Sequence, residues 1–360
     1  MIGLLGFALL TSCGGAASPT VAPSTSQPGT AAASSKPSPA AAAAAKPSVA
    51  PASAPSSGAA SPSASGTIPV SVGFAQATTA DAVIFVASEL GFFSRNGLAA
   101  DLKQVNGPAE VPAILAGELQ FAAVGGNEVM HADLGGASLV GLATLSDLPV
   151  FSLYADKKYK AVADLAGQTI GVTALGTTTH ATAQLFLKHY DMLGKVDIAG
   201  TGGTSASIIA ALTKGAVVAG ILSPESASIA AEQGFVELVN GVKLGVPYNL
   251  DVIGVNRPYL RDHSEEVKRF LRGYQQAWTY MADAGHKTEV NKAIQKFTKS
   301  PDNLASVSYD AFLPVWNSKK VPVVNPEALG NILVFSPDPA AKNAKPEQFI
   351  DNSVIQSIQS

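Results

Sequence analysis

The sequence predicts an α/β protein in which strands and helices alternate through two similar halves. Three observations carry this. Short apolar runs of strand length are each followed by a stretch of helical period. Several of those helical stretches close on glycine, at Gly91, Gly117 and Gly215. Finally, AILAGELQFAAVGGNE at 113–128 aligns without gaps beside ALTKGAVVAGILSPES at 211–226, with Gly117 on Gly215 and Ala123 on Ile221.

The first residues read as an address. MIGLLGFALLTSC, residues 1–13, has an apolar run too short to span a bilayer, as in a signal-peptide core. It ends in Leu10-Thr11-Ser12-Cys13-Gly14, which resembles a bacterial lipobox, so Cys13 is the expected lipidation site. No Lys or Arg precedes the run, in contrast to an ordinary signal. Residues 14–67 are mainly Ala, Ser, Pro, Thr and Gly and lack the large side chains of a core, which predicts a disordered tether.

The body begins at Ile68. Val70, Val72 and Phe74 alternate as in a strand. A helix follows on Val83, Val86 and Leu90, with Thr79 the expected N-cap and Gly91 the expected stop. LAADLKQV is a strand, GPAEVPAILAG a short helix, and LQFAAVGG a strand buried on both faces. From 163 to 240 the theme repeats as QTIGVT, TTHATAQLFLKHY, KVDIAG, SASIIAALTKG, AVVAGIL and PESASIAAEQG. LDVIGVN is a further strand, and helical patterns follow at 264–284, 287–298, 301–313, 325–333 and 346–357. The expected plan is a second lobe, 151–250, inserted between two parts of a first, 68–150 and 251–360. Strands near 149–154 and 250–256 would link the lobes and form the hinge.

Composition excludes several functions. The formal net charge is −3 and the basic residues are scattered, which gives no footprint for nucleic acid. The single cysteine rules out an intrachain disulfide and a multi-thiolate metal site. The five histidines show no metal-ligand spacing, so no metal is expected.

ASELGFFSRNGLAADL at 87–102 resembles the A-x-x-x-G-F-F-x-x-x-G-L signature of periplasmic-binding-protein-like solute receptors. The branch is the one for nitrate, alkanesulfonate, taurine and thiamine-pyrimidine precursors. DLAGQTIGVTALGTTTHATAQLFL at 164–187 is similar to the segment that opens the second lobe in that branch. AGELQFAAVG resembles its x-G-x-x-D-x-A strand, with Gln120 in place of Asp. The resemblance covers roughly 68–280 and implies a type II periplasmic-binding-protein-like fold, two lobes closing on a small molecule about an interlobe hinge. It further implies an ABC permease with its ATPase as partner, no enzymatic step and no cofactor. A lipid on Cys13 agrees with this, placing the protein in the cell envelope, outside the cytoplasm and anchored to a bacterial membrane.

Ligands of α/β sheets lie beyond the carboxyl ends of strands, at helix N-termini. That selects Gln76, Thr78 and Thr79 after the first strand, and Gly126 and Asn127 after FAAV. It also selects Gly176, Thr177, Thr178 and His180 after TIGV, and Ser223 and Glu225 after AGIL, with Tyr248 near the hinge as a stacking residue. The turn TALGTTTHA lacks the Lys of a phosphate loop, and no G-x-S-x-G marks a nucleophile. One of Thr177 and Thr178 is expected to cap the helix and its neighbours to face ligand. The selected turns hold no Lys or Arg and one acid, Glu225. Both a sulfonate- or nitrate-like anion, held by helix N-termini, and a pyrimidine-type heterocycle remain open as ligands. Two rival functions are a sensory receptor for a membrane signalling partner and an enzyme like the pyrimidine-precursor synthases. The second is disfavoured because those enzymes carry a cysteine-rich motif and this chain has only Cys13.

Overall fold

The computed structural model describes residues 66–105, 107–336 and 338–358, so the signal, Cys13 and nearly all of the tether lie outside the described residues. The described residues belong to one compact unit. In the first pass of the chain, β1 (Ile68–Phe74) leads through a 3-10 turn, Thr79–Asp81, into α1 (Ala82–Glu89) and α2 (Phe92–Arg95). Then come β2 (Leu98–Gln104), α3 (Gly107–Leu115), β3 (Phe121–Gly125), α4 (Gly126–Leu134) and β4 (Leu139–Thr144). The second pass runs β5 (Ser152–Ala155), β6 (Thr169–Val172), α5 (Thr178–His189), β7 (Asp197–Gly200) and α6 (Ser205–Thr213). It closes with β8 (Ala219–Leu222), α7 (Pro224–Glu232) and β9 (Val236–Asn240). The return holds α8 (Gly241–Leu244), β10 (Asp251–Asn256), α9 (Arg257–Asp262), α10 (Ser264–Ala282) and α11 (Lys287–Thr298). It ends with α12 (Asp302–Asn317), α13 (Pro326–Leu333) and α14 (Ser353–Ser357).

Two five-stranded sheets result, with strand orders β2-β1-β3-β10-β4 and β7-β6-β8-β5-β9. They share one plan. In each, three parallel strands are extended by an antiparallel strand that has just crossed from the other sheet. β3 and β8 are equivalent in that plan, and they are the strands the ungapped sequence alignment pairs. Gly117 and Gly215, which precede them, both take positive φ, 78° and 69°, where a Cβ would be strained.

The first sheet carries the larger core. α10 lays Phe270, Tyr274, Ala277, Trp278 and Met281 against it, all fully buried. Phe270 stacks on Phe121 of β3 with ring centroids 3.9 Å apart. Trp278 is core, as its helical spacing with Phe270 and Tyr274 predicts, and its Nε1 donates to the Lys319 carbonyl at 3.0 Å. The second sheet has separate cores on its two faces, one around Ile170, Phe186 and Ile221 and one around Ile208, Leu212 and Leu222.

The strands expected to link the lobes each lie within one sheet: β5 in the second and β10 in the first. The crossings are the stretches before them, 145–151 and 241–250, and these run side by side. The Tyr248 N–H donates to Asp147 O at 2.8 Å, Leu250 N–H to Ser146 O at 3.0 Å, and Gly241 N–H to Phe151 O at 3.0 Å. A Cβ on Gly241 would run into the carbonyl oxygens of Pro149 and Phe151, so the close approach needs glycine. Asn249, fully buried, ties the crossing to the body: its amide donates to Asn325 O at 3.0 Å and its oxygen accepts from the Thr144 hydroxyl at 3.3 Å.

Candidate functional site

A cleft of about 720 Å³ lies between the sheets. Its walls are the turns at strand ends: Gln76–Asp81 after β1, Asn127 and Glu128 in α4, Thr173–Thr179 after β6, and Ser223–Glu225 after β8. α11 and α12 contribute Thr298 and Phe312, and the crossings contribute Val150, Phe151 and Leu250. That volume suits a ligand of one or two rings.

The threonine turn is a closed hydroxyl network. Thr179 is its centre: its Oγ1 accepts the Thr173 N–H at 3.0 Å and pairs with the Thr173 hydroxyl at 2.7 Å. The Thr177 hydroxyl donates to the Ala174 carbonyl at 2.7 Å. Thr177 occupies the N-cap position of α5, yet no side chain caps that helix, so the expected threonine cap is corrected. The hydroxyl is taken by the Ala174 carbonyl. A second cap also moves. The Thr78 hydroxyl, and not that of Thr79, accepts from Ala80 N at 3.3 Å. Thr79 instead donates its hydroxyl across the cleft to Glu225 Oε1 at 3.1 Å, joining the turn after β1 to the first turn of α7.

Of the residues selected from sequence, Gln76, Thr78, Thr79, Asn127, Gly176, Thr177, Thr178, Ser223 and Glu225 line this one cleft. Gly126, His180 and Tyr248 do not. Gly126 packs against Asn249, whose carbonyl oxygen lies 3.2 Å from where its Cβ would be. His180 turns back and accepts the Gly176 N–H on Nδ1 at 3.1 Å, fixing the turn. Partial burial lowers its pKa, which suits this acceptor role. Tyr248 is fully buried, held to the Thr182 hydroxyl, so it offers no face to stack on.

Sequence reading finds one acid in these turns; the cleft has more. Asp81, Glu128 and Asp251 join Glu225 on its surface, and no Lys, Arg or His lines it. Strand order explains the gathering. β1, β3 and β10 are neighbours, and β10 is antiparallel, so it begins at the edge where β1 and β3 end. Asp251, the first residue of β10, pairs with Gly125, the last of β3. The Gly125 N–H donates to Glu128 Oε2 at 3.1 Å, and the Thr78 hydroxyl donates to Asp81 Oδ2 at 3.2 Å. Burial and then neighbouring carboxylates push the pKa values upward: Asp81 well above its ordinary range, and Asp251 to about 7. Thr179, Asp81, Glu128 and Asp251 are among the cleft-lining residues that sequence spacing misses.

Among the described residues no helix is long and apolar enough to cross a membrane, and no group of His, Cys, Asp and Glu is placed to hold a metal ion.

The family described as NMT1/THI5-like matches residues 78–286, more than half of the 360-residue chain. A Brucella abortus protein named as a binding protein is 34% identical over 108 residues, 29% of this chain and 33% of its own length. The aligned part of the chain thus spans about a third of that curated relative. Among solved structures, the ligand-binding component of an ABC-type import system from Staphylococcus aureus superposes with a TM-score of 0.64. The identity is 14%, over 80% of this chain and 98% of that one. The periplasmic aliphatic sulphonate binding protein SsuA from Escherichia coli gives 0.61 at 17% identity, over 80% and 90% of the two chains. The desulfurization enzyme DSZB gives 0.59 at 15% identity, over 80% and 98%. At these identities the likeness establishes the periplasmic-binding-protein fold, which is shared by binders and an enzyme.

Proposed function

Because the chain belongs to the NMT1/THI5-like family, we propose that it is the extracytoplasmic substrate-binding component of an ABC importer. One observation carries the reading: a single cleft is walled by strand-end turns from both sheets, which meet there in the Thr79–Glu225 hydrogen bond. In this reading 68–150 with 251–360 forms one lobe and 151–250 the other. They close about the paired crossings, and the closed form is what an ABC permease and its ATPase recognise. No covalent step is needed, and the protein is not an enzyme.

Cys13 carries the lipid, and residues 14–67 are the leash that keeps the body beside its permease at the membrane. Between the two ligand classes open from sequence, the pyrimidine-type heterocycle fits better than the sulfonate- or nitrate-like anion. The first turns of the helices facing the cleft already carry carboxylates, Glu128 in α4 and Glu225 in α7, and no cation lines it. An anion would meet like charge.

The test is a thermal-shift screen of the purified chain against heterocycles, sulfonates, nitrate and aromatic acids, paired with an assay for turnover. A ligand at a hundredfold excess over Kd stabilises by about 2.7 kcal/mol. Stabilisation with the compound recovered intact supports a binding component. Turnover of a compound, or no stabilisation by any, defeats it. For the anchor, Cys13→Ala should abolish incorporation of a labelled fatty acid; retained label refutes lipidation there.

A further inference from the structure

The acids in and beside the cleft have an ordinary explanation that accounts for only some of them. Asp81, Glu110, Glu128 and Glu225 each sit in the first turn of a helix or 3-10 turn, where negative charge is favoured. Glu128 accepts an amide hydrogen bond there, Asp81 a hydroxyl and Glu225 the Thr79 hydroxyl. Asp251 is on a strand, where no dipole rewards it. Its side chain lines the cleft with no hydrogen-bond or ion-pair partner. Glu110 is 1% exposed, and its Oε1 is buried without a hydrogen-bond partner. It is outside the cleft lining but near enough for Glu128, Asp251 and Asp81 to raise its pKa.

Burying carboxyls in this way is costly unless a positive group meets them. The protein supplies none at the cleft. Elsewhere it does so readily: Lys319 pairs with Asp147, and Arg257 with Asp133 at 3.6 Å. No group of His, Cys, Asp and Glu among the described residues is placed to hold a metal ion. What fits is a positive charge spread over several N–H donors, with an apolar frame to lie against Phe151 and Phe312.

We propose that the cleft takes an organic cation, an ammonium or amidinium compound, whose N–H groups donate to Asp81, Glu128 and Asp251. This rests on the binding-component reading and narrows its ligand. The upward pKa shifts agree in direction: burial and neighbouring carboxylates disfavour the charged forms, which an arriving cation would favour.

The experiment is titration calorimetry and melting of the full chain at pH 7.5 with benzamidine and benzylamine, against benzenesulfonate and neutral benzyl alcohol. The cations should bind and raise the melting temperature at 10 mM, and the sulfonate should not. Asp251→Asn should weaken benzamidine binding at least tenfold while the free protein still melts cooperatively. Should that variant fail to fold, Asp81→Asn serves the same purpose. Binding of benzenesulfonate in preference to the cations overturns the proposal, as does cation binding unchanged in both variants. No response to either cation also overturns it. In each of these cases a hit among the other compounds of the broad screen leaves the binding-component reading standing, and only the absence of any hit removes both.

Discussion

Replacing Glu110 with Gln should stabilise the protein at alkaline pH and do almost nothing at pH 4.5. Burial, followed by Glu128, Asp251 and Asp81, raises the Glu110 pKa from 4.5 to about 9. Between those values the folded protein holds a proton that the unfolded chain releases. Stability therefore falls as pH rises from 4.5 towards 9. At pH 8 the penalty has an upper bound of about 5 kcal/mol, from roughly 1.36 kcal/mol for each pH unit above 4.5. Solvent relaxation and residual denatured-state structure reduce this, so a gain of about 2–4 kcal/mol at pH 8 is expected. Gln keeps the shape of the protonated side chain and cannot titrate. Urea denaturation of both proteins at pH 4.5 and pH 8 measures the effect. An equal change at the two pH values, or a loss at pH 8, would refute the reasoning, since either outcome means that Glu110 is charged in the folded protein.

Three further substitutions probe the turn, the crossing and the cross-cleft contact. Thr179→Val strands the Thr173 N–H and should cost about 1–3 kcal/mol in urea denaturation; a change below about 0.3 kcal/mol would mean the network carries no weight. Gly241→Ala pushes a Cβ onto the Pro149 and Phe151 carbonyls and should cost about 1–3 kcal/mol. Its sign check is melting temperature, and an unchanged value would show that the crossings slide apart freely. Thr79→Val removes the bond to Glu225 and should cost less than about 1 kcal/mol, yet raise the radius of gyration of the free protein in X-ray scattering. An unaltered radius would mean that other contacts hold the sheets together.

Much of the fold is legible because each signal is local. β1 alternates, α10 has a continuous stripe, and glycines at positive φ close α1 and α3. β4 and β9 are not legible by the same means. They are edge strands of their sheets, paired there to β10 and β5, strands that arrive from the opposite sheet. The site divides similarly. Nine of the residues chosen as strand-end turns line the cleft, because parallel strands put their carboxyl ends on one edge. Asp251 escapes the rule, being at the start of an antiparallel strand, and that exception assembles the acidic floor. Tyr248 fails for another reason: nearness to a hinge says nothing about which way a ring points.

The paired crossings also bear on how such a chain can be assembled from pieces. Ser152 and Asn240, the first and last strand residues of the second sheet, lie opposite one another in register. The residues just outside them, Phe151 and Gly241, are joined by a 3.0 Å hydrogen bond. Some ninety residues thus leave and rejoin the first body through one narrow doorway. A gene encoding that body could acquire, lose or exchange the whole second sheet with only a peptide-sized gap to close. The same doorway makes 151 and 241 natural cut points for building a chimaera with a different second half of the cleft.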